Sequence, residues 1–488
     1  MRATAPSSGA APGIRAACVI AATLLSAACA RFPERVDKAP PAVAPAPPAS
    51  FEQAATAGAG KSAGSDWYRE FGSEELLALI AGAREGNSDL AAAQARILQA
   101  DARARTAGSA LLPGVQAGGN VSHLAGRSGG MSASETDWSA LLSVSYEIDF
   151  WGRNRAAADS AKAMARASRA DRESLWLTLE SGIASSYFRV LALRESLAIA
   201  AGNLQTARQV LQVLEARYNA GAASAVELAT QRATVANAEL VLPELQQQEA
   251  AELGALALLS GHDPEHFTIA GVPLAQLKEP VVAAGLPAQL LTRRPDLLAA
   301  ESSLLAAHAD LRAAQAALFP GVTLTGSGGI QNPALQAAVL TLEGTGGTLT
   351  VGAGIAQTIF DGGRRREVRA EAAAREQELL ANYRSAIRSA LLDVETALSA
   401  IQHLEQQRAA QAESLAQSTQ AFNGAELRYR AGSGDYLTML EAQRLLYAAR
   451  DQASAYRLAR LRALVNLGKA LGGGWQTETL QASASPTP

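Results

Sequence analysis

The chain has 488 residues, a formal net charge of −3, 18% charged and 5% aromatic residues, and two cysteines, Cys18 and Cys29. This length allows one large domain or two to four ordinary ones, and the near-neutral balance excludes a nucleic-acid surface built on basic excess. Past the N-terminal segment no apolar run reaches about 18 residues, so no transmembrane helix is expected and any membrane-spanning part must be a barrel.

Arg2 and Arg15 precede an apolar run, Ala16 to Leu25, followed by Ser26-Ala27-Ala28-Cys29. This is a secretory signal, residues 1–28, ending in small residues. It resembles a bacterial lipoprotein signal, in which Cys29 becomes the lipidated N-terminus. Ser26 stands where such signals usually carry Leu. The alternative is an ordinary signal peptide with an incidental cysteine. If Cys18 leaves with the signal and Cys29 is acylated, no disulfide can form, and a chain this long needs none. One lipid chain adds membrane affinity but anchors firmly only with a second attachment.

Residues 29–65 are a Pro/Ala-rich linker or surface-wrapping arm, with Ala39-Pro40-Pro41 and Ala46-Pro47-Pro48. Trp67-Tyr68 opens the folded part. Ser73-Glu74-Glu75 suits the start of a short helix, and a second helix follows Ser88-Asp89 to about Leu112. Pro113-Gly114-Val115 ends it. Leu142, Val144, Tyr146 and Ile148 alternate with Ser143, Ser145, Glu147 and Asp149, the period of a strand with one apolar and one polar face. Val115 to Asp149 therefore reads as a hairpin with a loop near Gly126 to Glu135.

From Phe150-Trp151-Gly152-Arg153 a long helix runs without proline to about Tyr218. Trp176, Ile183, Val190, Leu197, Leu204 and Leu211 fall every seventh residue, and Leu179, Ser186, Leu193, Ala200, Ala207 and Leu214 fill the intervening positions. A seven-residue apolar repeat keeps one seam of a helix facing a neighbour, as in a coiled coil. Gly221 stops the helix, and a return helix runs from about Ser224 to Leu259, with Pro243 a candidate kink.

The pattern then restarts. Asp296-Leu297 to Pro320-Gly321-Val322 matches Asp89-Leu90 to Pro113-Gly114-Val115, 207 positions earlier. Ile387, Val394, Ile401, Arg408, Leu415 and Phe422 repeat the heptad at an offset of 211, with one polar break at Arg408. Both copies end alike, in Arg217-Tyr218-Asn219-Ala220-Gly221 and Arg428-Tyr429-Arg430-Ala431-Gly432. Shared phase and shared terminator mark an internal duplication. The first repeat covers 66–260 (hairpin about 114–150, long helices about 151–259) and a connector 261–287. The second covers 288–471 (hairpin about 320–360, long helices about 362–468), before a disordered tail, 472–488.

Four amphipathic strands per chain leave unpaired edges that neither water nor lipid tolerates, so several chains must pool strands into a closed barrel and helices into a tube. Leu290-Leu291-Thr292-Arg293-Arg294-Pro295-Asp296-Leu297-Leu298-Ala299-Ala300-Glu301 resembles the hallmark segment of NodT-type outer-membrane efflux lipoproteins, within the TolC-like outer membrane factors. Asp149-Phe150-Trp151-Gly152-Arg153 and Ile359-Phe360-Asp361-Gly362-Gly363-Arg364 are similar to that family's strand-to-helix junctions. Arg428 to Gly432 with Tyr436 to Gln443 is similar to its periplasmic turn. The resemblance implies a mainly α fold with a small β part: a homotrimer whose long coiled-coil α-helical barrel continues a transmembrane β-barrel in the outer membrane lipid of a Gram-negative bacterium. It implies docking to a periplasmic adaptor (membrane fusion protein) and an inner-membrane pump of the resistance-nodulation-division (RND) type. The expected work is passive efflux of drugs or other small toxic compounds; the alternative is type I secretion of peptides or proteins.

The turns at Gly221 and Gly432 lie farthest from the strands, which makes them the periplasmic tip. By the resemblance, Leu437 takes the apolar position of the gate and Glu441 the acidic one, while Thr438 stands where some relatives carry a second acid. The ordinary readings are coiled-coil packing for Leu437 and a solvated helix charge for Glu441. Tyr429 matches a tyrosine that ties the closed tip in some relatives; Tyr218 is its counterpart, and packing is the equal alternative for both. Nothing points to an enzyme. His262-Asp263-Pro264-Glu265-His266 lacks further metal ligands nearby, and Gly326-Ser327-Gly328-Gly329 lacks the Lys-Ser/Thr of a phosphate loop. No cofactor is expected beyond a lipid on Cys29.

Overall fold

The protein is described by a computed structural model covering residue 48 and residues 50–52, 61–62, 67–128, 131–280, 282–283, 287–331 and 346–473. The signal segment, Cys29, most of the 29–65 arm and all but the first two residues of the 472–488 tail lie outside the described residues.

In chain order the elements are β1 (Lys61–Ser62), α1 (Glu74–Gly86), α2 (Ser88–Ser109), β2 (Gly114–Ser128), β3 (Met131–Ile148), α3 (Arg153–Asn219) and α4 (Ala225–Leu259). Then come β4 (Val282–Ala283), α5 (Leu290–Arg293), α6 (Pro295–Ala316), β5 (Gly321–Gln331), β6 (Gly346–Ala356), α7 (Arg364–Arg430) and α8 (Tyr436–Ala470). The duplication is exact in the lengths of three helix pairs. α3 and α7 have 67 residues each, α4 and α8 have 35, and α2 and α6 have 22. At ~1.5 Å per residue each long helix is about 100 Å.

Local chemistry sets the boundaries. The Ser73 hydroxyl accepts the Leu76 N–H (3.2 Å), and the Asn87 side chain accepts from Asp89 and Leu90, closing α1 and opening α2. Asp149 accepts the Asn154 and Arg155 amides at the start of α3, and Asp361 accepts those of Gly363 and Arg365 at the start of α7. A carboxylate there satisfies orphan N–H groups and meets the positive end of the helix dipole. In α3 all six d-type positions, Leu179 to Leu214, are buried, as are Trp176, Ile183, Val190 and Leu204. Pro243 sits inside α4, which continues on both sides.

β2, β3, β5 and β6 form one antiparallel sheet in that order. The first hairpin departs from expectation. Its ladder continues through Gly126↔Ala133 to Ser128↔Met131, so no loop spans Gly126 to Glu135 and only residues 129 and 130 intervene. Backbone pairing does not need apolar side chains, and Gly129-Gly130 between two runs is itself a two-residue hairpin signal. α2 likewise ends at Ser109, not Leu112, with a turn following.

The register sorts the sheet into two faces. On one, successive rows read Ile148-Val322-Ile355, Tyr146-Leu324-Ala353, Val115-Val144-Gly326-Val351, Ala117-Leu142-Gly328-Leu349 and Val121-Trp138. On the other they include Ser145-Thr325-Gly352 and Gln116-Ser143-Ser327-Thr350. The apolar face runs ten residues along β3, roughly 33 Å of strand, enough for an apolar band about 25 Å tall once the strands tilt. No described helix is long and apolar enough to cross a membrane.

Three tiers follow along the molecule. Below the sheet, the main packing contacts run α2–α3–α6–α7; toward the turns they run α4–α3–α8–α7. The core lies between, where the α1 segment and the connector cover α3. Tyr187, Phe188, Phe71, Leu76, Ile80 and Ile183 are fully buried there, with Phe71 edge-on to Phe188 at 4.9 Å.

Candidate channel tip and barrel wall

Both turns end a long helix with the same device. Gly221 (φ 75°) donates to the Tyr218 carbonyl, and Ala222 donates to that of Arg217. Gly432 (φ 76°) and Ser433 repeat these bonds to Tyr429 and Arg428. The left-handed residue lets the chain reverse while satisfying the last carbonyls, and glycine adopts it without a Cβ clash. The return helices start differently. Ser224 and Glu227 form a reciprocal capping box on α4. On α8, Asp435 accepts both the amide (2.8 Å) and the hydroxyl (2.7 Å) of Thr438. These bonds, the hydroxyl's first, hold the Asp435 carboxyl below its usual range.

The two hairpins are tied to each other. The Arg217 guanidinium lies 4.6 Å over the Tyr429 ring and donates to the Tyr429 carbonyl at 2.7 Å. Tyr429 packs against Tyr436, ring centroids 6.1 Å apart. The Tyr436 hydroxyl donates to Gln231 Oε1 (2.9 Å), and Gln231, fully buried, donates to the Ala207 carbonyl. Burial pushes the Tyr436 phenol up to about 12, and Tyr429 is also raised by burial. Arg217, Gln231 and Tyr436 were not singled out from sequence. The available signal was Gln231, an amide among the inward positions of α4.

The expected gate residues divide. Leu437 is 73% exposed and Glu441, one helical turn on, is exposed on the same side of α8. Val226, the repeat counterpart of Leu437, is 74% exposed. Thr438 spends its side chain on Asp435. Tyr429 is 3% exposed and packed by its own chain, whereas Tyr218 is 41% exposed. The structure thus brings Leu437 and Glu441 together at the open surface of the tip and places Tyr429 behind them as packing.

The Arg293-Arg294-Pro295-Asp296 segment is a staple. Arg294 pairs with Asp296 (2.8 Å) and with Asp393 of α7 (3.0 Å), and donates to the Ala470 carbonyl at the end of α8. At the strand-to-helix junctions, Trp151 stacks on Phe319 at 4.8 Å and donates to the Pro320 carbonyl, while Phe150, Ile359 and Phe360 are exposed. Such a ring of aromatic and apolar groups belongs at a membrane–water interface. Arg365, beside it, bonds the Ala317 carbonyl and the Thr358 hydroxyl. His262 bonds Ser260 and lies against Phe267. Among the described residues no three His, Cys, Asp or Glu side chains group as a metal site.

An amphipathic four-stranded sheet joined to two equal helical hairpins about 100 Å long defines a channel subunit of the outer membrane. The chain belongs to the outer membrane efflux protein family: the family model matches residues 79–262 and 286–473, one match per repeat. It is similar to the pyoverdine export outer membrane protein OpmQ of Pseudomonas aeruginosa, 43% identical over 472 residues, 94% of this chain and 97% of that one. The cation efflux system protein CusC of Escherichia coli is 30% identical over 413 residues, 84% and 88% of the two chains. The outer-membrane channel OprN matches in structure with a TM-score of 0.83 at 27% identity, over 90% of this chain and 99% of that one. The protein works in efflux, in the outer membrane of a Gram-negative cell.

Proposed function

We propose that three copies close into one duct that receives cargo from a periplasmic adaptor and an inner-membrane RND-type pump and releases it outside. The observation carrying this is that every tier ends in an open edge on the same side. Among the described residues β6 and α7 lack an outer neighbour, as do β2, α2 and α4 opposite. Two copies would give eight strands, a barrel about filled by its own side chains; three give twelve and leave a lumen. The 43% identity with OpmQ over nearly the whole chain favours pyoverdine-type cargo. Cys29 carries the lipid that holds the N-terminal arm at the membrane.

Leu437 and Glu441 from three copies narrow the tip. Three carboxylates brought together repel one another and favour cations. In planar bilayers, Glu441→Ala is expected to raise the resting conductance and reduce cation preference; unchanged values of both remove the gate assignment. For the duct, native mass spectrometry in detergent is expected to give a trimer, and a deletion strain to retain its siderophore inside. Normal export without the chain rules out the cargo.

A further inference from the structure

We propose that Arg155 and Arg366 form a collar around the outside of the duct that binds the phosphates of anionic phospholipids in the periplasmic leaflet of the outer membrane. The collar needs only that the apolar face of the sheet meets lipid, whatever the number of copies that close the barrel.

The sheet shows which side of the long helices faces out. Glu147 lies on its polar face, in the row Glu147-Thr323-Gly354, and its carboxylate holds Arg153 at 2.6 Å. Arg153 therefore marks the lumen side of α3. Successive helical residues turn by about 100°, so Arg155 lies roughly opposite, and Lys162 and Arg166 continue its stripe downward. Both sides are open. Arg153, Ala157 and Met164 are exposed on one and Arg155, Lys162 and Arg166 on the other, while Ala156, Ala158, Ala163 and Ala165 between them are buried. The wall is one helix thick here. α7 begins at Arg364 as α3 begins at Arg153, so Arg366 is the repeat counterpart of Arg155, and it is exposed too.

Depth and charge both fit a lipid headgroup. The last apolar row of the outer face, Ile148-Val322-Ile355, is followed by the exposed Phe150 and Phe360. Arg155 and Arg366 are the third residues of their helices, about 3 Å below the helix starts, inside a headgroup layer roughly 5–7 Å deep. Lys162 and Arg166 lie about 14 and 20 Å below the start of α3, beyond that layer. Among the described residues Arg155 and Arg366 form no ion pair. Acids on this side of the wall are engaged elsewhere: Asp159 holds Arg312 at 3.0 Å, and Asp101 holds Arg169 at 2.6 Å. A guanidinium without a carboxylate keeps its fork of donors free, and that fork matches the oxygens of a phosphate. Apolar strands, then aromatic rings, then cations follow the order of the leaflet itself, from acyl chain to phosphate.

The test is native mass spectrometry of the full-length protein, extracted from outer membranes in mild detergent and titrated with phosphatidylglycerol or with phosphatidylethanolamine, which has no net charge. The wild type is expected to retain phosphatidylglycerol in preference. Arg155→Gln with Arg366→Gln should weaken that retention about fivefold, the effect of one cationic side chain at an anionic lipid surface. Lys162→Gln with Arg166→Gln removes the same charge from below the leaflet and should leave retention unchanged. Arg155→Lys with Arg366→Lys keeps the charge and should keep most of the preference. Equal retention of the two lipids by the wild type, or an undiminished preference in the glutamine pair at positions 155 and 366, overturns the collar. An equal loss on changing Lys162 and Arg166 would show a general attraction between charges and overturns it too. A loss as large in the lysine pair as in the glutamine pair would place the effect in the fold and has the same consequence.

Discussion

α3 and α7 share length, heptad phase and terminator, yet 27 residues of α3 are buried against eight of α7. The difference is position, not propensity. α3 sits between α2 and α6 near the sheet and between α4 and α8 near the turns, so both flanks are covered. α7 has α6 and α8 on one flank and closes the protomer on the other. Duplication supplied two equal helices, and the order of layers made one a core and the other an interface.

The largest effect is expected where α3 is most enclosed. Phe188 is fully buried against Phe71, and its counterpart on α7 is the half-buried Ser399. Phe188→Ala should cost about 3–5 kcal/mol of stability through lost burial and a cavity, read in thermal unfolding followed by circular dichroism. Ser399→Ala should leave the transition where it is. Equal shifts from both would mean that α7 is as enclosed as α3 and that the comparison fails.

The second expected effect reverses the roles. Leu392 of α7 is 66% exposed, while its counterpart Ser181 is buried. It lines an open groove of about 790 Å³ between α7 and α8. An apolar residue outside and a hydroxyl inside make sense if a second copy covers the α7 flank. Leu392→Asp should leave the helical signal intact but weaken assembly, by roughly 2 kcal/mol for each interface where the leucine was to be buried. The trimer fraction on dilution in detergent measures it, and an unaltered fraction would show that this flank stays open in the assembly.

Much of this frame was legible in the residues. Period, terminators and the 207 and 211 offsets gave both repeats, since heptad spacing and glycine stops are local signals. The length of the β2–β3 ladder was not legible, because small and polar side chains near Gly126 to Glu135 read as loop, although strand pairing is made by backbone. The clasp of Arg217, Tyr429, Tyr436 and Gln231 was not legible, because it joins residues about 200 positions apart from two repeats that differ just there: Tyr436 answers to Ala225, and Gln231 to Ala442.

That clasp gives the third prediction. Tyr436→Phe removes one hydroxyl and leaves the buried Gln231 Oε1 without its donor, at a cost of about 1–2 kcal/mol confined to the tip. The raised phenol fixes the sign with pH. The neutral form is favoured in the fold, so its contribution is complete below pH 10 and is lost as pH rises from 10 through about 12. Proteolysis at the turns should be faster in Tyr436→Phe than in the wild type below pH 10, with the difference shrinking as pH rises toward about 12, and coincident curves throughout would remove Tyr436 from the clasp.

The smallest effect contrasts the two return helices at acid pH. α4 is capped by the Ser224 hydroxyl, which does not titrate, and α8 by the Asp435 carboxylate. Because the folded state holds Asp435 below its usual value of 3.8, its contribution is present above pH 3.8 and fades as pH falls through the lowered value. Amide exchange at Thr438 should therefore accelerate, relative to Glu227, between about pH 4 and 2, and Asp435→Ser should abolish that divergence by giving α8 a hydroxyl cap. Leu437 and Glu441, the residues proposed for the gate, follow directly on this cap, so loosening it loosens the segment that carries them. Identical exchange at both caps throughout would mean that the two tips differ in name only, and that any asymmetry in opening has to come from the Tyr436–Gln231 contact instead.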